Sequence, residues 1–493
     1  AVGYQALYTS VTATSLTAVG YKALTSTTVG NNSAFGDRAL TANTTGQFND
    51  AFGYASQYKT TTGVSNSSFG SNCLFNNTTG SYNVAMGDSA LNANTTASNN
   101  TAVGYQAGYT NTTGTRNTFV GRGTGYTSNG DDNTAVGRNA LYNNTTGSGN
   151  AVLGVDALTS NTTGALNTAI GYLALNANTT ASNNTAVGYQ AIYSSTAGNG
   201  ITAIGYQAFY NGTATSDILS VAIGYQASKG GAGAANYGDV SVGALALTSI
   251  TSGIFNVAVG YQSMTSNTTG SYNVALGRQA LQANTTASNN TAVGYQAGYS
   301  NTTGAYNTFL GKTSGYAVTT ATESTFLGND AGVNQTTGTR ATYVGANSGA
   351  SITTGTKNVI LGSYNGNQGG LDIRTISNYV VLSDGDGNPR IYVGNDGGVA
   401  FGVGANSGDG FLYLQGKAAS GNGPVLFGRT GTLGSTTDRW AVGSNSWIKG
   451  GTAYDTLTCT AGSAYSGGVS LTSGATSWVS ASDERLKNVT GTY

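Results

Sequence analysis

The chain has 493 residues, a formal net charge of zero and only 8% charged side chains, against about 25% in ordinary globular proteins. Neutral balance removes the electrostatic basis for nucleic-acid binding. No apolar run approaches the 18 or so residues of a membrane helix, and with no His and two isolated Cys no zinc set can be assembled. No cofactor and no metal are expected. Glycine supplies 76 residues, and Thr, Val and Tyr are frequent. Few charges, many aromatics and a strict period argue against disorder.

The period begins at the first residues. Ala1 opens in mid-repeat without Met or a signal peptide, so a longer parent protein is expected. A glycine then recurs 22 times, at Gly3, Gly20, Gly36, Gly53 and onward to Gly345 and Gly362, and 17 of the 21 intervals are 17 residues. A short fixed period signals a solenoid or fibre, in which each unit buries its apolar face against its neighbours. The residue before the glycine is apolar in all 22 copies. Two before it is usually Ala, and three after it is small, as at Ala6, Ala39, Ala107, Ala191 and Ser263. "Ala-Val-Gly-Tyr-Gln-Ala-Leu" reads in-out-in, which is strand periodicity.

The second half of the unit is polar. Asn-Thr-Thr-Gly recurs at 43–46, 77–80, 111–114, 144–147, 161–164, 267–270 and 301–304. Asn and Gly tolerate positive φ, so the motif reads as a turn. One repeat is expected to be a short strand, a turn, a second short strand and a turn. The invariant glycine has two readings: a positive φ, or close approach by another backbone. The small residue after it favours crowding at an axis, and hence an intertwined homotrimer over a single-chain solenoid. At strand spacing, 22 coils make a rod of roughly 100 Å.

Within the array, Cys73 takes the slot where Ala usually stands and reads as a buried small residue. The Tyr after the glycine, as at Tyr105, Tyr189 and Tyr206, reads as packing between coils or chains; stacking on sugars is the alternative. The two 19-residue intervals fall around 211–217 and 229–239, where outward loops are expected. Sequons such as those at Asn43, Asn94 and Asn178 accept glycans only in a secretory pathway.

The array runs over 1–364, and a hairpin transition follows at 365–404. There, 379–382 and 390–393 read as strands joined by an Asp/Gly/Pro turn. "Asp-Gly-Asp-Gly-Asn" lacks the later ligands of a calcium loop. Residues 405–482 hold all three Trp, at 440, 447 and 478, and read as a distinct β-rich terminal region. Cys459 lies there without a partner signal. Irregular, Trp-bearing sequence presents a unique surface, so Trp440, Trp447 and Trp478 are candidate receptor contacts. Glycan hydrolysis needs a carboxylate pair, but the chain has only Glu323 and Glu484, and Asp384, Asp386 and Asp396 fall in turn sequence. A polysaccharide-degrading tailspike is therefore disfavoured, and no catalytic residue for a substrate is assigned.

Two resemblances bear on this pattern. The array resembles the head repeats of trimeric autotransporter adhesins, whose Ala-Ile-Gly-x-x-Ala unit builds a left-handed parallel β-roll trimer. Its "NTAVGYQAL…NTTG" units are also similar to arrays in phage tail fibres, as is the hairpin segment. "SASDERLKN", at 480–488, resembles the entry to the intramolecular-chaperone domain of phage tail fibres and tailspikes. That resemblance implies self-cleavage between Ser482 and Asp483, with Ser482 as nucleophile and Lys487 assisting; 483–493 would be the start of the chaperone. A serine needs a base, and a desolvated lysine can serve. Only six residues follow Lys487, whereas the family's chaperone body is far longer. The implied protein is a homotrimeric fibre of the virion tail, working outside cells. Its partners would be a host-surface glycan or protein and other tail proteins, with no nucleic acid and no membrane insertion. A trimeric bacterial surface adhesin is the alternative, although the C-terminus lacks the heptads of a coiled-coil stalk.

Overall fold

The computed structural model describes residues 1–401, apart from 11–12, 213–218, 231–236 and 398, and beyond them the backbone of the strands between 409 and 480. The loops expected around 211–217 and 229–239 lie largely outside the described residues. No helix occurs among the described residues. Two compact units are distinguished, Ala1–Asn307 and Thr308–Tyr493.

The first unit is a parallel β-solenoid. Seventeen short strands, from Leu16–Val19 to Thr291–Val293, pair in parallel, each with the next along the chain. Register is kept position by position: Thr168 faces Thr185, Ala169 faces Ala186 and Ile170 faces Val187. The all-β solenoid fold expected from the period is therefore present.

Each coil differs from expectation in having one strand, not two. After the glycine the chain alternates between ordinary and left-handed backbone: Gln190 has φ 53° and Ile192 has φ 50°. Gln190 N–H donates back to Tyr172 O at 2.9 Å, whereas Ile192 N–H donates forward to Ala208 O at 3.0 Å. Alternation curls the chain tightly yet keeps its N–H groups along the axis, so the ladder continues without extended geometry. A non-glycine residue held left-handed costs about 1–2 kcal/mol, and the inter-coil bond offsets part of it.

The Asn-Thr-Thr-Gly turn also works differently. Neither Asn43 nor Gly46 takes a positive φ; the left-handed positions lie elsewhere, as at Phe48 (58°) and Leu40 (53°). Asn43 is buried and its Nδ2 donates to Gly46 O at 3.0 Å. Gly46 is required because a Cβ there would meet Gly63 O at 2.3 Å.

For the repeat glycine both readings hold. All 22 have φ between 109° and 150°. A Cβ on Gly188 would lie 2.4 Å from Gly205 O. The small residue three further on, however, needs no shared axis. Ala39, Ala107 and Ala191 are fully buried inside their own coils, as is Cys73. Burial pushes the Cys73 thiol up to about 11, and its Sγ donates to Gly87 O at 2.8 Å.

The interior is narrow, and volume is conserved across it. Phe119 stands where Ala usually does, fully buried. Gly108 on the preceding coil and Gly125 on the same coil then replace the usual Leu; Cβ atoms there would lie 3.0 and 2.5 Å from the Phe119 ring.

In the second unit, Thr308–Leu310, Thr325–Leu327, Thr342–Val344 and Val359–Leu361 continue the same parallel pattern among themselves. Val380–Ser383 adds in parallel to the last of them. It then forms the expected hairpin with Pro389–Val393, to which Val399–Phe401 adds. Asp384 closes the turn by accepting Asn388 N–H at 2.8 Å and pairing with Arg390. Those contacts, the Asn388 N–H first, hold its carboxyl below the usual range. Further on, Asp409–Leu414 pairs with Val425–Thr430, and a five-stranded antiparallel sheet runs from Arg439–Ala441 to Val479–Ser480, in keeping with a β-rich terminal region.

Candidate interaction surface

Repeating side-chain systems mark the first unit, asparagine ladders inside it and an apolar stripe and an interrupted tyrosine column outside. Inside, the asparagine that stands four before the glycine in most coils forms a ladder, over 32–184 and again over 256–290, with Ile201, Ser220 and Asp239 between. Asn167 donates its backbone N–H (3.0 Å) and Nδ2 (3.1 Å) to Asn150 Oδ1, and Nδ2 also reaches Ala181 O at 2.9 Å. Each buried amide is thereby satisfied by the coils beside it. The recurrent Asn of "NTAVG" and "NVALG" was the available signal. A second ladder uses the sequon asparagines: Asn178 Nδ2 donates to Asn161 Oδ1 at 2.8 Å. Asn43, Asn94 and Asn178 are fully buried, so the folded chain offers none of them to a glycosyltransferase.

At Asp239 the first ladder changes chemistry. Its Oδ1 accepts Asn256 N–H at 2.7 Å and Nδ2 at 3.2 Å, while Oδ2 is buried without a hydrogen-bond partner. Burial pushes its pKa up to about 7, opposed by the Asn256 bonds.

Outside, the apolar residue before the glycine points to solvent. Leu153 is 52% exposed, and Ile170, Ile204 and Leu276 are also exposed. Phe35, Phe52 and Phe69 stack on one another at 4.7 and 4.6 Å. On all 17 strands this position is apolar, and two residues earlier the only charge is Asp50. The outer strand face is thus a continuous apolar and hydroxyl stripe with a single carboxylate.

The second outer system is the tyrosine column. The expected packing between coils is present: the rings stand outward and stack on one another along the axis. Tyr172, Tyr189, Tyr206 and Tyr225 are each about half-exposed, with ring centroids 5.5, 5.1 and 5.1 Å apart. Their faces are occupied by neighbouring rings, leaving edges and hydroxyls outward. A glutamine ladder runs beside them: Gln207 Nε2 donates to Gln190 Oε1, and Gln226 Nε2 to Gln207 Oε1, both at 2.9 Å. In a parallel column, partial desolvation first, then neighbouring phenols, pushes Tyr126 and Tyr210 up.

Among the carboxylates considered for hydrolysis, Glu323 pairs with Arg340 on the next coil at 2.7 Å, which holds it below its usual range. Trp440 and Trp447 lie on neighbouring antiparallel strands, with Ala441 opposite Trp447. Trp478, Ser482, Asp483 and Lys487 lie outside the described residues. No protein-family model, curated protein or solved structure matches the chain.

Proposed function

We propose that this chain belongs to a homotrimeric bacteriophage tail fibre, a structural component that attaches the particle to a host surface. The observation that carries the reading is the outer strand face. A soluble monomer rarely leaves a large continuous apolar patch uncovered. Over 17 coils at strand spacing the stripe is about 80 Å long. At roughly 10 Å width it offers about 800 Å² per chain, the size of a standard specific interface. Self-association therefore rests on outward residues, not on the small inward ones. The rigid array acts as a shaft, and the Trp-bearing region at 405–482 as receptor-binding tip. The motif at Ser482–Asp483 supports trimerisation under a chaperone that then cuts itself away. No turnover of a substrate is proposed.

Light scattering on the intact protein tests the first element: a trimer supports the fibre, and a monomer at micromolar concentration rejects it. Deleting 405–482 while trimerisation is preserved tests the second. Loss of adsorption to host cells is expected, and undiminished adsorption would refute the tip assignment.

A further inference from the structure

The second unit contains a groove beside its last coils. Between Thr336 and Thr353 the inter-coil offset is 17 residues, as elsewhere; from Thr353 to Arg374 it is 21. The added residues raise a wall beside the array. Tyr364 and Ile373, both fully buried, pin that wall from beneath. Tyr364 Oη donates to Leu371 O at 2.8 Å, and Ile373 N–H donates to Gly366 O at 2.8 Å. The result is an open groove of about 820 Å³, within the size range of small-ligand sites.

Its two sides differ in chemistry. The floor consists of Ala317, Asn334 and Ser351 on successive coils, with Thr336 and Thr353 alongside. The wall carries Asp372, Arg374, Thr375 and Ile376. Arg374 grips Asp372 through Nε (3.0 Å) and Nη2 (2.8 Å), leaving Nη1 and the outer carboxylate lone pairs for a ligand. Asn334 spends its Nδ2 on Ala350 O at 2.8 Å, which leaves Oδ1 as an acceptor. Ile376 is 39% exposed and adds an apolar surface.

We infer that this groove binds a neutral oligosaccharide lying along the coil axis. A sugar chain presents hydroxyls that both donate and accept, and C–H faces that suit an apolar neighbour. A carboxylate, a guanidinium, an amide and hydroxyls beside one exposed isoleucine complement that combination. The Asp372–Arg374 pair sums to zero charge, so a neutral chain fits better than an anionic one. Coils repeat at about 4.8 Å, close to the length of one pyranose ring, so successive floor residues meet successive sugars. The wall is fixed before any ligand arrives, which limits the ordering cost of binding. This inference does not depend on the fibre reading, nor on the Trp-bearing region.

The test is titration calorimetry, with saturation-transfer NMR, on the full chain. The probes are maltotetraose, cellotetraose and chitotetraose, with tetragalacturonate as the anionic comparator. At least one neutral tetrasaccharide should bind. Arg374→Gln and Asp372→Asn should each weaken it at least tenfold, and Ser351→Trp should abolish it by filling the floor. Arg116→Gln, at an exposed residue of the first unit, should leave it unchanged. Circular dichroism checks that each variant keeps the solenoid. Failure of all three neutral probes, unchanged affinity in the groove variants, or preference for tetragalacturonate would overturn the assignment.

Discussion

Asp239 shows how one atom changes the behaviour of a ladder. In the coils that carry asparagine here, the amide nitrogen occupies the position of its Oδ2 and donates to a carbonyl about 14 residues on, as Asn256 does to Gly270 at 3.0 Å. A carboxylate cannot donate; a protonated acid can. The groups bonded to Asp239 are Ser220 and Asn256, both neutral, so burial keeps the proton on to about pH 7. Unfolded aspartate titrates near 3.9. Between those values the folded chain holds more protons, so stability should fall as pH rises from about 4 to about 7, then level off. The loss is of order 4 kcal/mol at most. Asp239→Asn should remove this dependence and be the more stable form at pH 8. Chemical denaturation between pH 4 and 8 checks it, and parallel pH profiles for the two proteins would contradict it. Gly188 is constrained by space as well as backbone. Gly188→Ala should cost about 1–3 kcal/mol from its φ of 133° alone, plus displacement of Gly205 O. Hydrogen exchange should show the loss concentrated in the adjoining coils, since each coil contacts only its neighbours.

At the scale of the coil, Phe119 and its two glycines form one packing unit. Phe119→Ala should cost about 3–5 kcal/mol by leaving a cavity. Adding Gly108→Leu and Gly125→Leu should recover most of that, because leucine occupies this position in other coils with φ near 50°, as at Leu91 and Leu158. A triple variant no more stable than the single one, by urea unfolding, would refute the compensation. The outer face gives a second prediction. Ile170→Lys, Val187→Lys and Ile204→Lys together alter no buried side chain, so the solenoid should form while light scattering shows a shift from trimer to monomer. These cases also mark how far the sequence could be read. The glycine period and the alternation at Ala186-Val187-Gly188 revealed the strand and its inward face, because both are backbone constraints written in residue size. The left-handed residues were hidden, because Gln190 and Ile192 have no special preference for positive φ; tertiary hydrogen bonds place them there. The asparagine ladder was visible as repetition, but turn chemistry was the nearer explanation for Asn beside Thr and Gly. The groove was not legible at all, since it arises from a 21-residue offset around Gly362, the last repeat glycine, beyond which no period remains to mark the added residues.

At the scale of the whole molecule, the array has an assembly problem. Near-identical coils, such as those at 80–109 and 270–299, can pair equally well in several registers, and slippage between chains leaves apolar stripe uncovered. A trimer built on such stripes needs a device that aligns the chains before the coils close. A C-terminal chaperone does this, because aligned C-termini set the register for everything upstream. Cutting it off afterwards makes the assembly kinetically irreversible, since separated chains could no longer realign. On the proposed reading, Lys487 accepts the Ser482 hydroxyl proton, the Ser482–Asp483 amide bond breaks with that proton passing to the departing Asp483 amine, and water completes the hydrolysis to a free Ser482 carboxylate. Intact mass and C-terminal peptide mapping of the protein expressed from its complete gene should therefore give a chain ending at Ser482. Ser482→Ala should remain uncut yet still trimerise, because alignment precedes cleavage. Once the chaperone is gone, the cleaved trimer should not re-form after denaturation, whereas the uncut variant should. A wild-type chain running intact through Asp483, or equal refolding of the two proteins, would separate the fibre from this route of assembly.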